Sequence, residues 1–189
     1  FFGSSRQGDL SMLQSVGLTS GFSAEAVAAQ QHQAQRISSS LIRTDLQHGR
    51  LHEAAQKLGR PYSIEGKVVR GKQLGRTLGY PTANIRLQRK KPALMGIYAT
   101  WIHGVGQQPI AGVSSLGTRP TVNGREPLLE AHLFDFDDDL YRRRIRVEFV
   151  CKLRDEIKFD TLDALVMQMD QDAAQARAVL ALQPIGECA

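Results

Sequence analysis

Arg144-Ile145-Arg146-Val147-Glu148-Phe149-Val150-Cys151-Lys152-Leu153-Arg154 reads as a β-strand. Ile145, Val147, Phe149, Cys151 and Leu153 fall on one face, opposed by Arg144, Arg146, Glu148 and Lys152, the period-two pattern of a strand with one buried side. Gly96–His103 carries apolar residues on both faces, with Ile97, Ala99 and Trp101 on one and Tyr98, Thr100 and Ile102 on the other. Weaker strand signals lie at 62–70, at 128–136 between Pro127 and an Asp run, and at 110–115, ended by Gly117 and Pro120. Short strands joined by Gly- and Pro-containing loops predict a small antiparallel barrel or sandwich.

Both flanks of this β region differ from it. Leu162, Leu165, Val166, Met169, Ala173, Ala176 and Leu180 follow a helical stripe, with Asp160 as the expected N-cap and Asp163 in the first turn. That helix is expected to pack on the barrel, its Met and Leu residues serving as core. Before Gly59-Arg60-Pro61 the chain is rich in Ala, Gln and Ser, with helices expected at Ser39–Gln47 and Leu51–Leu58, the second stopped by Gly59. The segment 23–35 reads as helical by composition.

An apolar content of 42% with 23% charged residues excludes a disordered chain. No run of 18 apolar residues is present to span a membrane. The start, Phe1-Phe2-Gly3-Ser4-Ser5-Arg6, has neither an apolar leader core nor an initiator Met, so the chain is expected to begin inside a longer protein. Two cysteines, Cys151 and Cys188, make no disulfide framework and point to a reducing, cytoplasmic setting.

A net charge of +5 is too mild to identify an anionic partner, but its distribution is uneven. Lys67, Arg70, Lys72, Arg76, Arg86, Arg89, Lys90 and Lys91 occur with no acidic residue between them, whereas four Asp surround Phe136 in 135–139. Each block is either a solvated surface or a face for a charged partner.

Common catalytic motifs fail. Gly66 to Lys72 matches the opening of a phosphate-binding P-loop, but Gln73 stands where Ser or Thr should meet magnesium, and Gly75, Gly79 and Pro81 forbid the helix that should follow. Gly112-x-Ser114 lacks the closing Gly of a nucleophile elbow. The histidines His32, His48, His52, His103 and His132 have no zinc spacing with the cysteines.

The cluster from Gly71 to Asn84 is more specific. Gly71, Gly75 and Gly79, spaced by four, permit close backbone approach to phosphates, and Lys72 and Arg76 supply charge. Thr82 and Asn84 place a hydroxyl and an amide on one face of an extended chain, a neutral oxygen pair suited to magnesium carried by phosphates. A basic hairpin loop leading into a strand explains the same residues without a ligand. Glu130 sits in Leu128-Leu129-Glu130-Ala131-His132-Leu133-Phe134 among apolar neighbours, where a carboxylate is costly unless paired or functional. A backbone-bonded or Arg-paired structural Glu is the other reading.

Gly71 through Pro81-Thr82-Ala83-Asn84 resembles the ATP-binding loop and Pro-Thr-Ala-Asn signature of riboflavin kinases. In order, Gly96-Ile97-Tyr98, Gly117-Thr118-Arg119-Pro120-Thr121, Leu129-Glu130-Ala131-His132, Asp139-Leu140-Tyr141 and Leu153-Arg154-Asp155-Glu156-Ile157-Lys158-Phe159 resemble the rest of that family's pattern. The stretches Phe2-Gly3-Ser4-Ser5-Arg6-Gln7-Gly8-Asp9 and Ile37-Ser38-Ser39-Ser40-Leu41-Ile42-Arg43 resemble the end of the FMN adenylyltransferase domain that precedes the kinase in bifunctional bacterial FAD synthetases.

The resemblance implies a six-stranded antiparallel Greek-key barrel with a C-terminal α-helix, preceded by a partial α/β nucleotidyltransferase remnant. It divides the chain into a remnant at 1–60, a kinase domain at 61–183 and a tail at 184–189, and favours strand and loop over helix at 23–35. The implied reaction moves the γ-phosphate of ATP to the ribityl 5′-hydroxyl of riboflavin, giving FMN. Glu130 is the implied base, and Thr82 and Asn84 hold Mg2+ and the terminal phosphates. Gly71, Arg76 and Tyr141 join them at ATP, and Arg154 and Phe159 lie at the flavin. ATP and riboflavin are the implied partners, with no nucleic acid, membrane or obligate protein partner. Two residues depart from the pattern: Arg142 follows Tyr141 where the family usually has Gly, which bears on the local turn, and Ser40 replaces a Thr.

A rival class is a non-catalytic basic barrel that binds RNA or flavin. It explains the charge of 67–91 but not Glu130 or the Thr82/Asn84 pair, and that segment offers only Tyr80 for base stacking.

Overall fold

The structure, a computed structural model, describes residues 2, 3, 5, 7–71, 73–87, 91–121 and 124–183. Lys72, Arg89 and Lys90 of the basic segment and the 184–189 tail with Cys188 lie outside the described residues. The chain forms two compact units, Phe1–Ile37 and Ser38–Ala189.

In the first unit, helix α1 spans Leu10–Ser20. The Asp9 side chain caps it by accepting from the Met12 N–H at 2.9 Å. Gly21 ends it at φ +76°, where a side chain would be strained. This helix was legible as an Asp cap and a Gly stop, a signal the sequence reading passed over. The Ala- and Gln-rich stretch forms no helix: strands β1 (Gln31–His32) and β2 (Gln35–Arg36) make a two-residue hairpin there. Composition favoured a helix at 23–35, but the segment has no apolar stripe to bury, and propensity alone does not hold a short helix.

The second unit opens with helices α2 (Ser39–Gln47) and α3 (Leu51–Leu58). Ser38 caps α2 by accepting from the Leu41 N–H, and Gly59 ends α3 at φ +68°. Asp45, only 4% exposed, locks the pair together. Its carboxylate accepts from the Arg50 guanidinium at 2.8 Å and lies 2.9 Å from Lys57 Nζ. Burial pushes its pKa up, but the bonds from Lys57 and Arg50 outweigh this and hold it below the usual carboxylate value.

Strand β3 (Ser63–Val69), helix α4 (Leu74–Thr77) and strands β4 (Ala83–Arg86), β5 (Gly96–His103), β6 (Ile110–Thr121), β7 (Gly124–Leu133) and β8 (Arg144–Arg154) follow, then helix α5 (Leu162–Leu182). Contrary to expectation, Gly75, Gly79 and Pro81 do not forbid a helix after Gln73 but hold it to the single turn of α4, which ends before Gly79. The six strands β3 to β8 close into a barrel in the order β3-β4-β7-β6-β5-β8, with every pairing antiparallel. This is the expected Greek-key barrel with a C-terminal helix.

Strand β6 runs beyond its expected end, through Gly117 and Pro120. Its pairing with β5 stops at Leu116, so the rest of β6 has a free edge where a missing Pro N–H costs no ladder bond. The same holds for Pro127 on β7, whose pairing with β4 is confined to Leu129–Ala131.

Two apolar layers result. Inside the barrel, Val68, Ile85, Tyr98, Ile102, Leu116, Leu129, Ile145, Val147 and Phe149 pack with Leu46, Leu51 and Ala54 of α2 and α3. Outside it, Ala99, Trp101, Val113 and Phe134 pack under Ala176 and Leu180 of α5. Cys151 and Leu153, expected on the same face as Phe149, belong to this outer layer. The β5–β8 register shifts twice, between Ile97 and Tyr98 and between Ala99 and Thr100. Each irregularity breaks the two-residue alternation.

Helix α5 starts one residue later than expected. Thr161, not Asp160, is the N-cap, its side chain accepting from the Ala164 N–H at 3.2 Å, with Asp163 in the first turn as expected.

Candidate active site

On β7 the inward residues Leu129, Ala131 and Leu133 alternate with Glu130 and His132, which face outward, as does Phe134 just past the strand's end. Neighbouring strands supply the rest of one row around the outside of the barrel. Asn84 of β4 lies opposite Glu130, Glu130 opposite Ser115 of β6, Ser115 opposite Ile97 of β5, and Ile97 opposite Arg154 of β8. Directly opposed residues of antiparallel strands share a face. Residues 15 to 57 positions apart in sequence thus meet because the register lines them up.

A cavity of about 280 Å3 lies over this row, between the 75–82 loop and α5. Thr82, Ile97, Ser115, Glu130, Arg154 and Phe159 all line it. A second cavity of about 270 Å3, lined by Arg76, Pro81, Thr82, Asp139 and Tyr141, opens on the other side of the loop. Thr82 lines both. The residues assigned to flavin and base therefore share one cavity, and Arg76 and Tyr141, assigned to nucleotide, share the other.

Asn84 is buried, 6% exposed, and is not among the residues lining either cavity. Gly71 lies against its carboxamide: a Cβ at Gly71 would meet Asn84 Nδ2 at 2.4 Å and Oδ1 at 2.5 Å. Gly75 is similarly crowded, since a Cβ there would meet the Tyr80 carbonyl oxygen at 2.3 Å. Two of the three spaced glycines are thus required by close approach within the loop itself.

Tyr141 is held from two sides. Gln73 Nε2 donates to its hydroxyl at 2.9 Å, and the Arg70 guanidinium lies 5.5 Å from its ring centre. The turn that carries it forms despite Arg142, which adopts φ +68° where the family usually has Gly.

Arg154 is more committed than a flavin-reading arginine needs to be. Its Nε and Nη2 donate to the Asp172 carboxylate of α5 at 2.8 and 2.6 Å, and its Nη1 donates to the Asp155 carbonyl at 2.9 Å. Gln168 also donates to Asp172, which is 4% exposed. The guanidinium lies 5.9 Å from the Phe159 ring centre, so Asp172 fixes Arg154 beside Phe159.

Besides Asp172 and Ser115, several contributors to the site escaped the sequence reading. Leu165 and Met169 of α5 line the first cavity, although their stripe was assigned to core. The helix passes over the cavity with its first half and over the outer sheet face with its second. Tyr80 donates to the Asp170 carboxylate of α5, and burial followed by that bond raises its pKa to about 12. His132, present in the quoted Leu-Glu-Ala-His motif without a role, lines the same cavity.

The sequence profile described as "Flavokinase: Riboflavin kinase" matches residues 58–180. The chain belongs to the riboflavin kinase family. Among relatives, a bifunctional riboflavin kinase/FMN adenylyltransferase of Haemophilus influenzae is 45% identical over 177 residues, covering 94% of this chain and 58% of its own length. One from Escherichia coli is 41% identical over 181 residues, covering 96% of this chain and 58% of the relative. A crystal structure described as a macrolide-efflux protein from Streptococcus pneumoniae matches with TM-score 0.72 at 30% identity, covering 94% of this chain and 57% of that one. The chain thus spans about three fifths of the length of these riboflavin kinase relatives. Among the described residues no helix is long and apolar enough to cross a membrane.

Proposed function

We propose that the kinase domain transfers the γ-phosphoryl group of ATP to the ribityl 5′-hydroxyl of riboflavin. The observation that carries this reading is the pair of cavities joined at Thr82. One has Phe159 and the apolar side chains of Ile97, Leu165 and Met169 for a flavin ring system, with Glu130 on its wall. The other has Arg76 and Tyr141 for a nucleotide. Two substrates seated there approach each other at Thr82, beside the only group in the row able to accept a proton.

Phosphoryl transfer needs positioning, charge neutralisation and a place for the hydroxyl proton. Glu130 accepts that proton as the oxygen attacks phosphorus. Thr82 and Asn84 face the terminal phosphates, and Gly71 leaves the space that the Asn84 carboxamide fills. Arg154, aimed by Asp172, and Phe159 orient the flavin.

The donor set fits Mg2+ brought with the nucleotide. Thr82 and Asn84 offer neutral oxygens, and among the described residues no group of three or more His, Cys, Asp or Glu could hold a metal by itself. Thr82 and Asn84 would hold the ion, which would supply charge neutralisation.

For the whole protein, the bifunctional relatives support a second activity, adenylylation of FMN to FAD, with residues 1–60 belonging to that part. ATP as substrate supports a cytoplasmic location. The reading requires neither nucleic acid nor membrane.

Chromatographic detection of FMN from purified chain, riboflavin and ATP, with and without magnesium, tests the proposal. Magnesium-dependent FMN is expected. Its absence from folded protein that still binds ATP and riboflavin would overturn the reading.

A further inference from the structure

The β4–β7 ladder pairs Ile85 with Leu129, Asn84 with Glu130 and Ala83 with Ala131, and goes no further. The next rung would set Thr82 opposite His132. The chain makes a side-chain contact at this point instead. His132 Nδ1 lies 2.9 Å from the carbonyl oxygen of Pro81, the residue before Thr82. A carbonyl only accepts, so Nδ1 carries the proton.

The ring has little freedom to leave this contact. Tyr80 packs against it edge-on at 5.0 Å between centres, and Phe134 at 5.8 Å. Tyr80 is itself tied to Asp170 on α5. The Pro81–Thr82 peptide is thereby fastened to the strand that carries Glu130, two residues from His132 on the same face.

Building on the kinase reading above, we propose that His132 is a positioning residue for phosphoryl transfer. Its Nδ1–H holds the Pro81–Thr82 peptide in register with Glu130, so that the phosphate-facing residue and the proton acceptor keep a fixed separation. Thr82 is the residue common to both cavities, so a shift there disturbs the alignment of the two substrates. Misplacement by about 1 Å typically costs ~10²-fold in rate. His132 also lines the cavity given to the flavin, so the proposal concerns the loss of kcat that remains when riboflavin is saturating.

Three substitutions separate the donor from the ring. Asn places an amide N–H near the Nδ1 position, Gln places one near Nε2, and Phe keeps a ring without a donor. The expected kcat for His132→Asn stays within about threefold of the unaltered chain, while His132→Phe and His132→Gln fall about 10- to 100-fold. Riboflavin affinity is read separately, by quenching of flavin fluorescence without turnover, so that kcat is compared at saturating riboflavin in all of them. Near-normal kcat in His132→Phe or His132→Gln would overturn the proposal. A drop in His132→Asn as deep as in His132→Phe would also do so, because the ring and not the donor would then matter.

If His132→Phe does not fold, His132→Gln carries the same comparison. Nitrogen NMR of the unaltered chain gives a reading independent of activity. The neutral imidazole should carry its proton on Nδ1, and an Nε2–H tautomer would sink the idea. FMN formation by the unaltered chain tests the kinase reading by itself, so failure of the one is distinguishable from failure of the other.

Discussion

Asn84 and Glu130 stand directly opposite each other across the β4–β7 ladder. Opposed Cα atoms in antiparallel strands are about 4.5–5.5 Å apart, so register alone brings the proposed phosphate-facing amide beside the proposed base. Glu130→Gln keeps the size of the side chain and most of its hydrogen bonding but cannot take a proton. Turnover should fall by ~10²–10⁴, with riboflavin and nucleotide affinity nearly unchanged. A structural Glu130 would instead lose about 1–3 kcal/mol of stability and keep its turnover. Rate, affinity and thermal midpoint measured on one preparation distinguish these outcomes.

Gly71→Ala probes the other half of that pair. The added methyl would come within 2.4–2.6 Å of the Asn84 carboxamide, forcing the amide to move. Gly71 has no positive φ, so the backbone itself accepts Ala. Turnover should drop about tenfold or more with little change in melting temperature, since the clash is with a side-chain tip. An unchanged kcat would show that Asn84 has no fixed role.

Asp172→Ala frees the Arg154 guanidinium from its two-point hold. Loss of a charge-assisted bond that aims a ligand-facing group is worth about 1.5 kcal/mol, or roughly tenfold in affinity. Riboflavin binding should weaken by that factor while nucleotide binding is unaffected. Equal weakening toward both substrates would mean that α5 has shifted as a whole.

The sequence made the barrel readable because its strands alternate and its loops carry Gly and Pro where edges are free. Ser39–Gln47, Leu51–Leu58, Gly96–His103 and Arg144–Arg154 have the bounds read from residue pattern. The sorting of β8 was not readable past Phe149, because the register shifts depend on how β5 lies beside it, which no single-strand pattern encodes. Within the site, Thr82, Glu130, Arg154 and Phe159 line one cavity, a grouping that no single stretch of sequence displays. The Asp172 and Asp170 contacts were invisible for a different reason. Acidic residues on an amphipathic helix look solvated until the partner across the fold, Arg154 or Tyr80, is known.

Asp45 gives a pH dependence with a definite sign. Its folded pKa is depressed by Lys57 and Arg50 against the upward push of burial. The stabilisation is therefore fully present above the unfolded value of about 3.9 and is lost as pH falls through the lower folded value. Asp45→Asn leaves Lys57, only 11% exposed, without its counter-charge and should cost about 3 kcal/mol at pH 7. The gap between the two proteins should stay constant from neutral pH down to about 5 and narrow below about 4. Urea unfolding at three pH values checks it, and a gap that widens in acid would contradict the assignment.

Arg142 offers a stabilising change. It holds φ +68° while its N–H donates to the Val68 carbonyl at 3.0 Å and the neighbouring Arg143 N–H donates to Leu140 at 3.1 Å. The turn thus keeps its bonds and pays in backbone strain, about 1–2 kcal/mol for a residue with a Cβ. Glycine removes that strain but adds roughly 0.5–1 kcal/mol of chain entropy lost on folding. Arg142→Gly should therefore gain about 0.5–1 kcal/mol, raising the thermal midpoint by about 1–4 °C. Arg142→Ala is the control, because it removes the charged side chain but retains the Cβ. A gain in Gly without a gain in Ala assigns the effect to the backbone. Equal gains would assign it to loss of the guanidinium near the basic residues of β8. Tyr141 should stay under Gln73 and Arg70 in the glycine variant, so the Michaelis constant for ATP should remain within about twofold.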